Sequence, residues 1–588
     1  PDRDNCGVLQ NLIPNVPLDA NGRFNEHFLA KQPISIPVSL VPFLEHDDQT
    51  RLQMASSQTR QAIMLQNFDQ PMIKSGCENL YTKYTQFVKI AKKSGSVIHL
   101  DSNYIIALYD DKTIEIFNIT YRKIYISNLD VYNIYVKQGD RFKAGQILAE
   151  SNFCKDGSIN IGKNLLTCVM VYYGYNYEDG IIISDRLQKE GVFTSVHFDD
   201  LSFDIPISKV LLTLTNGEEF SPLPKVGDRI PRGSAYAILK EIPNQQMDFF
   251  DIFKEETKLV SKHDVIITEV NLYVNQWCME IPQYNNWVEN IIKTQQKNEL
   301  KVRIVIEENL EKDKVKTFIK ENNLDLFDNV GKFKIKGEEV PGIRVEMYGI
   351  FFRPIQIGDK VGNRHGNKGV ISTIIPHEKM PMLPDGRHAD IIVNPLGTIS
   401  RMNIGQLFEL HLGMSLFDLK QKMKDIIKKT VASTKDFTDK QIQDLVKDYV
   451  LGYIKIIDCS EIGWYYEQFQ AELPKTITNE WIDELSIIQP PFESVNMIRA
   501  REALAYTGTQ FKYDVFDPQS NQMINQQIAC GYEYFFKMVH IAETRLAARG
   551  IGSYARKTLQ PLAGRKQKGG QRMGEMETAA LIGHDAKY

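Results

Sequence analysis

The chain has 588 residues, enough at roughly 150 residues per domain for about four domains. Its net charge of −4 excludes a uniformly basic nucleic-acid coat, and 43% hydrophobic with 24% charged residues excludes a disordered or fibrous chain. No apolar run reaches the ~18 residues of a membrane span and no basic-then-apolar leader opens the chain, so a soluble, intracellular, multidomain protein is expected.

Residues 1–30 read as loop, punctuated by Pro14, Pro17 and Asp19–Gly22. Helical spacing over Asp47–Ile63, after a cap at His46–Asp48, predicts a helix. Period-two or buried patterns at Val97–Leu100, Tyr104–Tyr109 and Thr113–Ile119 predict short strands. Between Leu187 and Val345, strand-like pieces surround two charged amphipathic stretches, Trp287–Leu300 and Asn309–Asn322, and read as a protruding accessory domain. Residues 346–413 are dense in glycine and strand formers, and 416–450 return to helix with a solvated charged face. The seven cysteines (Cys6, Cys77, Cys154, Cys168, Cys278, Cys459, Cys530) are scattered and contain no CxxC pair, against both a disulfide framework and a zinc site.

Four stretches carry chemistry. In Arg353–Gly369, Gly358, Gly362, Gly366 and Gly369 alternate with Lys360, Arg364, His365 and Lys368, and Asp359 is the only acid. Glycine admits close backbone approach and lysine meets phosphate as a point charge; a tight loop with solvated lysines is the competing reading. Glu178 and Asp179 stand together before the apolar run Ile181–Ile183, where adjacent acids can help hold a hard cation or simply mark a turn. Asn394–Asn403 is a turn leading into an apolar helix from Ile404, with Ser400 or Asn403 placed to cap it and Arg401 near an anion-favouring helix start. The tail from Arg545 to Arg572 holds eight cations and no acid (Arg545, Arg549, Arg556, Lys557, Arg565, Lys566, Lys568, Arg572), the footprint of a phosphate-backbone contact or of a solvated basic face. Gly157–Asn164 nearly spells a phosphate loop, but Asn164 replaces the hydroxyl residue and Leu165–Tyr173 reads as a buried strand. No GxSxG, HExxH, EF-hand or triple-aspartate motif occurs.

Taken together, Leu40–Asp48 with Gln58–Gln61, Gly174–Asp179, Gly358–Ser372, Asn394–Gly397 with Ser400–Gly405, and Gln560–Glu577 resemble the β subunit of multisubunit DNA-directed RNA polymerase, in its bacterial-type wording. The phrases run in the family's order across nearly the whole chain. The resemblance implies a mixed α+β, β-rich multidomain fold with a double-psi β-barrel core and sandwich-barrel-like and flap-like insertions. The expected divisions are an N-terminal segment (1–38), a barrel segment and helix (39–70), a sandwich-barrel-like insertion (71–159), a barrel strand with the acidic pair (160–189), a flap-like domain (190–345), a barrel segment with the lysine loop (346–415), a helical and connector region (416–535) and a basic clamp-proximal tail (536–588).

The same resemblance implies roles. Lys360 and Lys368 would face the RNA 3′ end and incoming nucleotide, and Arg60 and Arg401 would reach the triphosphate. Glu178 and Asp179 would help position a second Mg2+ through water. Arg364, His365 and the eight tail cations would meet nucleic acid. The implied reaction is two-metal nucleotidyl transfer. The first Mg2+ would be held by a β′-like partner, because no aspartate cluster exists here. Further implied partners are an N-terminal β fragment, assembly and promoter-specificity subunits, template DNA, nascent RNA and NTPs. The chain starts well inside the family sequence, so a split β subunit of the kind found in some plastids and large bacteriophages is expected, working in the bacterial cytoplasm and nucleoid or a plastid stroma. Ala547 departs from the family's histidine at that place. The alternative is a non-catalytic nucleic-acid-binding scaffold derived from the same subunit, against which all six charged positions (Arg60, Glu178, Asp179, Lys360, Lys368, Arg401) stand.

Overall fold

The computed structural model describes residues 36–78, 87–101, 104–119, 122–125, 128–130, 132–214, 220–241, 256–279, 281–309, 315, 334–335, 338–339, 342–432, 439–459, 463–474 and 476–586. The expected segment 1–38 therefore lies outside them except for its last three residues, and the stretch Asn309–Asn322 except for Asn309 and Val315.

Six strands close into a barrel: β1 (Lys163–Val169), β2 (Gly180–Ser184), β3 (Lys360–Asn363), β4 (Lys368–Ile375), β5 (Ile391–Val393) and β6 (Ala529–Lys537), in the order β1-β5-β2-β4-β3-β6. β1 runs parallel to β5, and β2 parallel to β4; the other neighbours are antiparallel. Alternation along each strand divides the side chains into two sets. Leu165, Ile181, Ile183, Val361, Ile371, Ile391, Val393 and Phe535, drawn from every strand, form one interior cluster. Their neighbours Leu166, Cys168, Ile182, Ile392 and Cys530 pack outward against Met380, Leu383 and Met414. A barrel closed in this way leaves no strand edge to be capped.

Helix α1 (Gln49–Thr59) begins where Asp48 accepts a hydrogen bond from the Thr50 amide at 3.0 Å, within the expected cap. The long helix α2 (Pro282–Asn309) contains the expected Trp287–Leu300 stretch. It packs Tyr284 and Val288 on the sheet built from Ser195–Asp200, Ile343–Arg353, Val265–Val274 and Arg229–Ile230. Further along, Val302 and Ile306 meet Ile106 of a second sheet, whose strands Gly95–Leu100, Tyr104–Tyr109 and Ile114–Asn118 match the sequence reading to within two residues. Helix α3 (Pro395–Arg401) is followed by α4 (Gly405–Ala432), α5 (Asp439–Ile457) and α6 (Met497–Thr507), which bury Leu412, Leu416, Leu419, Val446, Val450, Tyr453 and Ala503 together.

Two expectations are corrected here. Residues 39–70 contribute no barrel strand; they supply α1 and isolated bridges, Ala62 to Met538 and Leu65 to Ser195. The sixth strand comes instead from Ala529–Lys537, inside the stretch expected to be helical connector and running into the tail. It is covered on both faces, by the barrel interior and by α4, so it lacks the alternation that betrays a half-exposed strand. The phosphate-loop look-alike is a turn before β1, and the Tyr534 hydroxyl already accepts from the amides of Ile161 and Gly162, at 3.0 and 2.7 Å.

Helix α4 lies so close to β6 that a methyl group on Gly531 would fall 2.1 Å from the Leu410 carbonyl oxygen, and one on Gly413 would fall 2.3 Å from that of Tyr532. Both obstacles are backbone, so neither can swing aside. Gly531→Ala should therefore lower unfolding free energy by about 1–3 kcal/mol or more, read as an earlier denaturation midpoint. An unchanged midpoint would mean the helix is free to lift from the strand.

Candidate active site

The antiparallel β3–β4 pair sets the lysines. Val361 and Ile371 point inside, so Lys360 and Lys368 lie on the outer face. Lys360 is opposite Val370 and Lys368 opposite Gly362, which makes the two lysines diagonal neighbours, about 7–8 Å apart. Asp359, the one acid in their loop, is fully occupied. It accepts from the amides of Gln356 and Ala542, each at 3.0 Å, and pairs with buried Lys537 at 3.4 Å. The two lysines make no ion pair among the described residues.

His540 joins them. Its carbonyl accepts from the Lys360 amide at 3.2 Å, and its ring lies 3.1 Å from Gln61 Oε1 and 2.6 Å from Arg545 Nη2. Burial, then the charges of Arg545, Lys360 and Lys368, depress its pKa. The neutral ring can thus accept from Arg545. Sequence reading passed over His540, because no local pattern marks it; only the alignment of the chain after β6 with β3 reveals its position.

The acidic pair sits at the start of β2. Buried Asn176 shapes the preceding turn, accepting from the Tyr172 amide at 3.0 Å and donating to the Met170 carbonyl at 2.7 Å. Asn394 donates to the Asn176 carbonyl at 2.9 Å and also caps α3 through the Leu396 amide. Glu178, with φ of +52°, and Asp179 are both exposed, and the Asp179 carbonyl accepts from Val370 beside the lysine strand. From the last turn of α3, Arg401 Nη2 reaches Asp179 Oδ1 at 2.5 Å. Arg401 therefore closes one helix rather than heading the next, and neither Ser400 nor Asn403 caps α4. Asp47 does, accepting from the Gly405 amide at 2.8 Å, while Asn403 is buried and donates to the His365 carbonyl.

Arg51, in the first turn of α1, feels burial first, then Arg401, Asp179 and Asp48. Arg60 caps the far end of the helix, exposed and about 13 Å further along the axis at 1.5 Å per residue. Arg51 thus lies within electrostatic reach of Arg401 and Asp179, whose charges act on it. Two carboxylates, one already shared with Arg401, do not amount to the oxygen cage Mg2+ demands. No group of three or more potential ligands occurs among the described residues.

Arg364 and His365, expected at nucleic acid, are instead inside. His365 is fully buried, 2.7 Å from Asp47 and 2.6 Å from Glu409, and Arg364 Nη2 donates to the other Glu409 oxygen at 2.8 Å. Arg364 also donates to the Ile73 carbonyl and lies over the Tyr534 ring. The turn between β3 and β4 must tuck under α1, and charge there survives only when paired. Gly366, with φ of +77°, permits this: a side chain would fall 2.5 Å from the Arg51 carbonyl oxygen, and Gln58 donates to the Gly366 carbonyl.

In the tail, Arg545, Arg556, Lys557, Arg565, Lys568 and Arg572 are exposed. The side chain of Lys566 lies outside the described ones. Arg549 is spent on structure, donating to the carbonyls of Lys568 and Ser553 at 2.6 and 3.1 Å. Leu546, Ile551, Leu559 and Met576 among these cations are more than two-thirds exposed, so the tail presents an apolar as well as a basic surface.

The buried cluster fixes a pH dependence. Burial opposes a charged His365, but Asp47 and Glu409 outweigh it and raise the pKa from 6.5 to about 10. Burial likewise opposes Glu409 ionisation, and Arg364 and His365 overcome it, taking the pKa from 4.5 to about 2. Glu533, which accepts from Asn363, is pushed by burial and by Glu409 up to about 8. His365 therefore stabilises fully below about pH 6.5 and loses its contribution as pH rises through about 10; Glu409 loses its own as pH falls from about 4.5 towards 2. Glu533 costs stability progressively from about pH 4.5 to 8, where the unfolded chain releases its proton first. Glu533→Gln should remove that part of the decline and leave the part up to about pH 10. Denaturant titrations across this range check it; parallel curves for variant and parent would contradict the assignment.

Comparison with known proteins gives one family. Residues 90–567 match the family described as RNA polymerase Rpb2, domain 6. The DNA-directed RNA polymerase subunit beta of Mycoplasmoides gallisepticum is 30% identical over 585 residues, covering 95% of this chain and 39% of the relative. The same-named proteins of Prochlorococcus marinus and of Synechococcus sp. (strain RCC307) are each 30% identical, over 572 and 573 residues, covering 95% of this chain and 44% of theirs. The chain thus spans about two-fifths of the length of these relatives. With a closed barrel bearing paired lysines, an acid–arginine pair at its edge and this match over most of its length, the chain belongs to the RNA polymerase Rpb2 domain 6 family.

Proposed function

We propose that the chain is the C-terminal part of the β subunit of a DNA-directed RNA polymerase and supplies one side of its nucleotide-addition centre. The observation that carries this is the placement of Lys360 and Lys368 on one barrel face, without ion-pair partners among the described residues, beside the Asp179–Arg401 pair. In this reading the barrel is a double-psi barrel, residues 71–159 are the sandwich-barrel-like insertion, and 190–345 the flap-like domain.

In the proposed reaction the RNA 3′ oxygen attacks the α-phosphate of the incoming nucleotide and pyrophosphate leaves. Mg2+, held mainly by carboxylates of a partner, would supply Lewis-acid stabilisation of the developing charge. This chain's lysines neutralise charge that grows on the phosphates. Arg401 and Arg51 hold the triphosphate from the facing ends of α3 and α1. Glu178 and Asp179 suit an outer, water-mediated contact to the second ion; the main metal-holding carboxylates belong to a β′-like partner. Template DNA and nascent RNA meet the exposed tail cations. Assembly and promoter-specificity subunits complete the enzyme.

Lys360→Ala combined with Lys368→Ala should abolish extension of a preformed RNA–DNA scaffold by the assembled enzyme while leaving assembly intact. Near-normal single-nucleotide addition would refute the lysine assignment and favour the scaffold reading. Arg51→Ala and Arg401→Ala should each raise the apparent KM for nucleotide, the loss of one charge-assisted hydrogen bond being about 1.5–3 kcal/mol. Arg60→Ala should have little effect, and the reverse order would restore Arg60 to the site. Neutralising Arg556, Lys557 and Arg572 should make the salt dependence of template binding shallower by roughly 0.9 per lost phosphate contact. An unchanged slope would return the tail to solvated surface.

A further inference from the structure

On the outer face of the barrel, two thiols meet at the seam where β1 pairs with β6. Cys168 and Cys530 are directly opposite in the antiparallel register, both fully buried, with their Sγ atoms 3.1 Å apart. Opposed residues of such a pair have Cα atoms about 4.5 or 5.5 Å apart, and both spacings fall inside the range a disulfide spans. The partners are 362 residues apart in sequence, so a bond between them would tie the first barrel strand to the last.

We propose that Cys168 and Cys530 are a redox-modification site that peroxide converts to a cross-strand disulfide. The thiolate of one cysteine attacks the O–O bond of hydrogen peroxide, giving a sulfenic acid and hydroxide, which takes up the released proton to become water. The second sulfur attacks the sulfenic sulfur, the S–S bond forms, and the hydroxyl leaves as a second water with the remaining thiol proton. Two electrons pass from sulfur to peroxide and the atoms balance. The hydrogen bond with Cys530 and burial hold the Cys168 thiol protonated, so the reaction is slow at neutral pH and accelerates as pH rises. Burial slows it without misdirecting it, because the nearest nucleophile to either oxidised sulfur is the other cysteine. The product closes the barrel covalently.

The test is a non-reducing peptide map of the folded full chain after hydrogen peroxide treatment and alkylation. The expected result is a peptide pair linking Cys168 to Cys530, lighter than its two parts by two hydrogens and separated again by dithiothreitol. The link should persist in a Cys77→Ser, Cys459→Ser variant, which lacks the two half-buried cysteines. It should vanish in Cys530→Ser, with Cys168 stopping at sulfenic or sulfinic acid. Because the unsubstituted protein gives the map directly, misfolding of that variant would not obscure the answer. Cys168 and Cys530 both still reduced after Cys77 and Cys459 have reacted completely would overturn the proposal. So would either of them joined to a different cysteine.

Discussion

A buried chain of charge holds the site in place. Asp47, His365, Glu409 and Arg364 join the segment before α1, the turn between β3 and β4, and helix α4. Asp47 does double duty, since its other oxygen caps α4. The Tyr534 amide donates to Glu409 at 2.9 Å and brings β6 into the same network. Each group is unaffordable alone in the interior and tolerable only with its partners, so removing any one strands the rest. The network therefore dictates the position of the turn, and the turn dictates where Lys360 and Lys368 emerge. A loop of glycines and lysines on its own has no reason to adopt one shape; clamped at His365, it has one.

That clamp also explains which parts of the site could be read in advance. Local chemistry singled out the lysines, the acid pair and Arg401 as candidates, because each belongs to a compact motif with its own glycines or turn. The same reasoning misassigned Arg364 and His365, since a cation flanked by glycines looks alike whether it faces phosphate or Glu409. It also chose Arg60 over Arg51. Arg51 is in the first turn of α1 and Arg60 at its far cap, and only the packing of α1 against the Gly366 turn brings Arg51 within reach of the Asp179 charge. His540 is positioned by long-range pairing with Lys360 and leaves no short-range trace. Among the elements, the strand Gly95–Leu100, buried at Gly95 and Val97 and more open between and beyond them, was legible from periodicity. β6 was not, because packing on both sides erases the alternation.

Under the proposed function, the barrel edge is one half of a reaction centre. Cations are plentiful: two lysines and two arginines, with the neutral His540 ring beside Lys360. Of the exposed acidic pair, Asp179 is already paired with Arg401. Charge of this kind can receive a triphosphate and an RNA end, but it cannot by itself hold the metal ions that nucleotidyl transfer uses. The central claim is thus that the chain is an acceptor of phosphates that depends on another polypeptide for its metal.

Magnesium-dependent addition of a single nucleotide to a preformed RNA–DNA scaffold tests that claim most directly. It should be measured for the purified chain alone and after addition of a β′-like subunit together with the portions of β that this chain does not span. The account predicts no addition by the chain alone and restored addition in the assembly. RNA synthesis by the isolated chain would contradict it.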